Sequence, residues 1–319
     1  MTAVEPTALA ERLRQHQRSP APYAVKTIVF DGALTRIGRF RCDPAHTSFR
    51  DSGPASGCIV VFPRTSVWIQ HEGSRRFVAD PNVVTIYNRG QRYERFPISP
   101  EGDRCDWFAV ADSVARDVVG RFDPAAGESP DRPYRFERAP SSMALYARQR
   151  RIVRRAQLGL AAPLEIEEEV LAIVEGVLEC AYGQAWTTLL PAASVSTGAS
   201  RGAAARRHRD LAEAARAELA RTAEENRSVS EIARAVGTSP FHLCRVFRAH
   251  TGQTMHRYRV SMRLRVALER LETPANAATL SAVAHELGFA SHAHFVKICQ
   301  RDLGAAPSAV RHRVAAGTP

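Results

Sequence analysis

Arg245 and Lys297 stand 52 positions apart, each inside a short segment whose neighbouring residues repeat with it. A guanidinium at Arg245 can donate two hydrogen bonds to O6 and N7 of one guanine, a contact worth about 1–3 kcal/mol of discrimination between bases. The Lys297 ammonium can make the same approach with looser geometry. The repeat reads SEIARAVGTSPFHLCRVFRAHTG from Ser230 to Gly252 and SAVAHELGFASHAHFVKICQRDLG from Ser281 to Gly304. Ser230 matches Ser281, Ala233 matches Ala284, Val236 matches Leu287 and Gly237 matches Gly288. After one extra residue in the second turn, Ser239 matches Ser291, Leu243 matches Phe295 and Gly252 matches Gly304.

The elements that must position these side chains are legible in the same pattern. Each copy predicts a short amphipathic helix, a turn ending it at glycine, a serine placed to cap the next helix, and a longer helix closed by glycine. That is the outline of a helix-turn-helix, whose second helix enters the DNA major groove. In the first long helix Leu243, Val246 and Phe247 form the inward face, which leaves Phe241, Cys244, Arg245 and Arg248 outward. In the second, Phe295, Ile298 and Cys299 point in, leaving His292, Ala293, Val296 and Lys297 outward. Cys244, Ala293 and Val296 offer apolar contact to a thymine methyl group, and Arg248 and Arg301 suit phosphate oxygens. His242 and His294 read as packing or phosphate groups.

Between the copies, Thr254–Leu271 predicts one helix with Met255, Tyr258, Met262, Val266 and Leu271 near one stripe and arginines elsewhere. Its length of about 27 Å, plus the widths of the packed units, spaces two reading helices by about one DNA turn, near 34 Å. One chain can therefore address two adjacent major grooves of double-stranded DNA.

Charge agrees with a polyanionic partner. The chain carries 44 basic and 33 acidic side chains, net +11, and residues 201–319 hold 19 against 10, net +9. Only Lys26 and Lys297 among the cations are lysine. A 319-residue chain with 45% apolar and 24% charged residues is an ordinary globular composition of about two domains, which excludes a disordered or fibrous class. No run approaches the roughly 18 apolar residues that cross a bilayer. The N-terminus lacks the apolar core of a signal peptide, so a reducing cytoplasm is the expected compartment. The six cysteines have no zinc-site or CxxC spacing and read as free thiols.

From about Ala24 to Val110, short Val-, Ile-, Phe- and Tyr-rich runs alternate with turn formers and predict an all-β barrel or sandwich. From Ser141 to Tyr182 the period changes to 3.6, giving a helix that packs on the β unit or on another copy of itself. Gly183–Ala205 is rich in small residues and reads as a linker. The expected organisation is 1–183 for sensing and dimerisation, 184–205 as linker, and 206–319 for DNA.

Residues 206–313 resemble the DNA-binding domain of AraC/XylS-type transcription regulators. The SxxxLxRxFxxxxG frame stands as Ser239, Leu243, Arg245, Phe247 and Gly252, and RLxxA as Arg263, Leu264 and Ala267. The GFxSxxxFxRxF frame stands as Gly288, Phe289, Ser291, Phe295 and Lys297. Its second aromatic is Cys299 here, and the closing PxxYR is Pro307, Val310 and Arg311, which implies a thinner second subdomain.

The resemblance implies base contacts at Phe241, Cys244, Arg245, His292, Ala293 and Lys297. It also implies an α+β, two-domain chain: a cupin-like N-terminal β-barrel with appended helices and an all-α C-terminal domain of two helix-turn-helix subdomains joined by a linking helix. By the same analogy the barrel senses a small-molecule effector, the following helices make a homodimer, and the protein activates transcription through RNA polymerase. Arg39, Arg41, Trp68, His71, Tyr87, Arg92 and Tyr93 are the candidate effector contacts. With only His46 and His71 in the β region, no metal or other cofactor is expected. Three alternatives stay open: a cupin-type enzyme fused to a nucleic-acid module, a thiol or metal-ion sensor using Cys42, His46, Cys58 and Cys105, and a non-specific architectural DNA protein.

Overall fold

The computed structural model describes residues 21–51, 53–127, 131–183, 199–272 and 279–316. The short apolar runs of the N-terminal half become nine strands among the described residues: β1 (Ala24–Asp31), β2 (Thr35–Cys42), β3 (Cys58–Pro63), β4 (Val67–His71), β5 (Phe77–Ala79), β6 (Val83–Tyr87), β7 (Tyr93–Pro97), β8 (Asp103–Val110) and β9 (Arg138–Pro140). They form a six-stranded sheet in the order β1-β2-β8-β3-β6-β9 and a three-stranded sheet in the order β5-β4-β7, with a cavity between them.

Register decides the work of each face, because side chains alternate along a strand and opposed residues share a side. Gly38, Trp107, Val61 and Thr85 lie in one cross-strand row, and Lys26, Phe40, Cys105 and Pro63 in a neighbouring row of the same face. This face lines the cavity. Ile37, Phe108, Val60 and Ile86 make the alternate row on the other face and pack against helices. Gly38 has a packing reason. The Trp107 indole lies directly over it, where any Cβ would collide with the ring.

Helices α1 (Asp112–Gly120), α2 (Pro124–Gly127), α3 (Met143–Gln157) and α4 (Pro163–Tyr182) follow. The stretch from Ser141 to Tyr182 is thus two helices, separated near Gly159. Of the two partners open to it, the sheet is the one seen: Ile166, Val170, Ile173 and Val177 are buried in the cluster that includes Ile37 and Phe108.

The C-terminal part is helical throughout its described residues: α5 (Ala199–Arg221), α6 (Val229–Ala235), α7 (Pro240–Thr251), α8 (Met255–Leu271), α9 (Leu280–Glu286), α10 (His292–Leu303) and α11 (Pro307–Ala316). Helix α5 begins inside the segment expected as linker, and residues 184–198 lie outside the described residues. No helix among the described residues is long and apolar enough to cross a membrane.

In the linking helix α8, Arg259, Arg263 and Arg265, which lie off the apolar stripe, are buried. The reason is that α8 is surrounded. Val260, Leu264 and Leu268 join Tyr146 and Ile152 of α3 and Phe295 and Ile298 of α10 in one apolar cluster, and the arginines satisfy backbone carbonyls on the remaining sides.

Candidate nucleic-acid interface and ligand cavity

Both repeats fold as two-helix units with matched ends. The Ser239 and Ser291 side chains accept from the backbone N–H of His242 and His294, which caps α7 and α10. Gly252 and Gly304 close the same helices in the left-handed conformation, with φ of 71° and 67°. Helices α6 and α9 start at Ser228 and Thr279, and Ser228 makes a reciprocal capping box with Glu231.

The turn of the second unit is pinned from the linking helix. Arg263 donates to the carbonyls of Ala223 (2.6 Å) and Glu225 (2.8 Å), to Asn226 Oδ1 (3.0 Å), and to the carbonyl of Gly288. Gly288 has φ of +74°, and a Cβ there would run into the Glu224 carbonyl and the Arg263 guanidinium. One side chain thus ties α8 to the loop after α5 and to the α9–α10 turn. That fixes the second unit relative to the first.

The reading faces are open. Leu243, Val246 and Phe247 are buried in α7, and Phe295, Ile298 and Cys299 in α10. Phe241, Cys244, Arg245, Arg248, His292, Ala293, Lys297 and Arg301 are exposed, and Val296 is half-buried. Phe241 is the extreme case at 81% exposure, a large apolar ring presented to solvent in the first turn of α7. Arg245 lies 3.4 Å from His242 Nδ1, which steadies the guanidinium without neutralising it. Arg301 donates through Nε and Nη2 to Asp302 at 2.6 and 2.7 Å. Cys299, standing where the resembling frame has an aromatic, is fully buried, and burial pushes its thiol up to about 12.

The cavity between the two sheets has a volume near 200 Å³. Tyr87 and Tyr93 line it, together with Phe40, Val61, Trp107 and the Arg95–Asp103 pair. His71 sits behind the tyrosines, with ring centroids 4.8 Å from Tyr87 and 6.4 Å from Tyr93, and burial lowers its imidazole to about 4, so it is neutral at pH 7. Arg39 and Arg41 lie in cross-strand rows of the opposite face, and Arg39 pairs with Asp106 at 3.2 Å. Trp68 alternates with the cavity-lining Val67 and Ile69 and meets Arg76, whereas Arg92 is exposed. The lining residues passed over by composition were Lys26, Trp107, Thr85 and Arg95. Strand alternation carried the signal, since Trp107 and Cys105 are spaced by two, as are Thr85 and Tyr87.

The cysteines offer no activated sulfur in the cavity. Burial pushes Cys105 well above the ordinary thiol range and Cys58 up to about 11. Among the described residues no cluster of His, Cys, Asp and Glu could hold a metal ion.

A buried ionic network joins the β unit to the reading units. Glu213 of α5 accepts from the Val78 N–H (2.8 Å), Arg138 (2.7 Å) and Arg216 (3.0 Å). Arg216 donates in turn to the Val78 carbonyl (2.7 Å), Asp80 (3.1 Å) and the Tyr258 hydroxyl (2.8 Å). Burial opposes the Glu213 charge, yet Arg138 and Arg216 hold its carboxyl down to about 2. A second cluster links Asp106 of β8 through Arg150 (2.7 Å) to Glu272 at the end of α8 (3.0 Å).

Comparison with known proteins adds the following. Residues 232–313 match a family model described as a helix-turn-helix domain. A transcriptional regulator of the AraC-type DNA-binding-domain class from Chromobacterium violaceum is similar at 24% identity, covering 34% of this chain and 96% of that one, with a TM-score of 0.32. The DNA-binding domain of AdpA, a global transcriptional factor solved with a target DNA, is similar at 26% identity over 33% of this chain and 93% of that one, with a TM-score of 0.30. An apo ToxT variant from Vibrio cholerae covers 89% of this chain and 99% of its own at 10% identity and a TM-score of 0.36. No curated protein matches the chain. Two capped, glycine-closed helix pairs with exposed second helices have the outline of a paired helix-turn-helix. Residues 232–313 accordingly match the helix-turn-helix family model.

Proposed function

We propose that this chain is a sequence-specific DNA-binding transcription regulator whose N-terminal cavity takes a small-molecule effector. The observation that carries the reading is the duplicated unit: two matched helices, α7 and α10, each with an outward cation, Arg245 and Lys297, on a buried apolar back. Base contacts are assigned to Phe241, Cys244, Arg245, His292, Ala293, Val296 and Lys297, and phosphate contacts to Arg248 and Arg301. Selection of bound sequences from random duplexes tests this. Two base-preference blocks about 10 bp apart are expected per chain, and Arg245→Ala is expected to relax one base pair of one block. An equal loss of affinity on every sequence would make Arg245 a phosphate clamp instead.

Coupling between cavity and readers is assigned to β5. Ala79 lines the cavity, while its neighbours Val78 and Asp80 are both bonded to Arg216 of α5. A ligand that shifts Ala79 therefore acts on a strand gripped by the DNA-binding part. It changes DNA affinity only in proportion to its preference between two arrangements.

The remaining assignments are a division into 1–183, 184–205 and 206–319, a homodimer, and activation through RNA polymerase. The homodimer is supported by a set of exposed apolar side chains around the α3–α4 turn and the first hairpin, Leu158, Leu160, Leu164, Leu34 and Ile28, with Leu34 bonded to Glu167 of α4.

A further inference from the structure

Two arginines oppose each other across the six-stranded sheet. Arg41 of β2 is paired in register with Arg104 of β8, and Arg39, two residues back along β2, points to the same side. Directly opposed side chains have Cβ atoms about 4.5–5.5 Å apart, and like charges at such a pair destabilise a sheet. Asp106, opposite Arg39, cannot relieve them, because it is already shared by Arg39 (3.2 Å), Arg150 (2.7 Å) and Arg64 (3.8 Å). Glu101 acts on Arg104 only through space, and among the described residues neither Arg41 nor Arg104 has a carboxylate within ion-pair distance. Burial, together with the Arg41 and Arg39 charges, lowers the pKa of the half-buried Arg104. The face is therefore left with two uncompensated positive charges.

A pocket is built against them. It has a volume near 410 Å³, lies between β1–β2 and the last turn of α3, and is lined by Tyr23, Val25, Thr27, Arg39, Arg41 and Gln157. It is separate from the cavity between the sheets, since Arg39 and Arg41 lie on the opposite face of β2 from the cavity-lining Phe40. The Arg41 guanidinium lies 5.6 Å from the Tyr23 ring centroid, which holds it at the pocket wall. Thr27 and Gln157 add neutral donors. A carboxylate would neutralise one of the two charges, whereas a phosphate dianion neutralises both and offers several terminal oxygens to the forked donors of arginine. We propose that this face of β2 and β8 is a binding site for a small phosphate-bearing anion, seated in the pocket with its phosphate among Arg39, Arg41 and Arg104.

The test is calorimetric titration of the full chain, in phosphate-free buffer, with inorganic phosphate, AMP and adenosine. Phosphate and AMP are both expected to bind, and adenosine at least about tenfold more weakly than AMP. Either ratio of the two phosphates upholds the site: tighter AMP makes the ligand an organic phosphate, and equal affinities make it the free ion. Arg41→Gln and Arg104→Gln are each expected to weaken both ligands by at least about tenfold, whereas Arg36→Gln, on the other face of β2, leaves them unchanged. Phosphate should raise the thermal midpoint of the wild type and not that of Arg41→Gln. Without ligand, Arg41→Gln should not lower the midpoint, because it removes a like-charge contact. No binding of phosphate or AMP, adenosine binding as tightly as AMP, or an equal loss in Arg36→Gln would each overturn the proposal. Duplex DNA of arbitrary sequence that displaces AMP would give the patch to the DNA backbone and overturn the small-ligand assignment.

Discussion

Replacing Glu213 by Gln tests whether the ionic network truly holds the DNA-binding part on the β unit. The carboxylate accepts from Arg138, Arg216 and the Val78 N–H and is 3% exposed. Against burial, the Arg138 and Arg216 guanidinium groups hold its pKa down to about 2, which corresponds to about 3 kcal/mol of stability at neutral pH. Removing one partner of a buried pair while the others stay charged costs about 3–5 kcal/mol by comparison with other proteins, so the two routes agree. A depressed carboxyl pKa contributes fully above the unfolded value and fades as pH falls toward the folded one. The gap between wild type and Glu213→Gln should therefore narrow as pH falls from 7 to 3.5, by roughly 1 kcal/mol. Urea titration followed by circular dichroism gives the free energies, and hydrogen exchange at the Val78 amide reads the same contact locally. A loss below about 1 kcal/mol at pH 7, or a gap that stays constant with pH, would refute the reasoning.

Other perturbations follow from the same geometry. Gly288→Ala is predicted to cost more than about 1–2 kcal/mol, since the left-handed backbone strain of a non-glycine residue adds to a collision with Arg263; a denaturation midpoint equal to wild type would contradict it. Arg263→Leu should loosen the spacing of the two units, seen in bound-sequence selection as a smeared gap between preference blocks with each block intact. Phe247→Ala, at a position with no solvent exposure, is predicted to lose about 3–5 kcal/mol and with it binding to every duplex. Gly38→Ala should displace the Trp107 indole, measurable as a shift in tryptophan emission.

Much of the DNA-binding part was legible because its determinants are local. A serine three residues ahead of the amide it caps, a glycine where the chain must turn left-handed, and apolar residues at helical spacing all act within a few positions, and duplication doubled the signal. The inward and outward faces of α7 and α10 follow from that spacing alone, as Phe241, Cys244 and Arg245 on one side and Leu243 and Phe247 on the other illustrate. The cavity was less legible. Arg39 and Trp107 both sit on strands of the six-stranded sheet, but which face each strand turns to the cavity depends on register with partners far along the chain, and one residue of slip reverses every side chain.

What the amino-acid order determined by itself was the pair of helix-turn-helix units, their caps and turns, and the strand-rich character of the N-terminal half. Only the tertiary structure decided that the arginines of α8 are buried, that Glu213 and Arg216 clasp β5, and that Lys26 stands over Trp107. A charged side chain is read from sequence as solvent-facing because burial without partners is prohibitive. Its partners here lie far away in the sequence, with Glu213 135 residues from Val78, and no local pattern encodes a meeting across that distance.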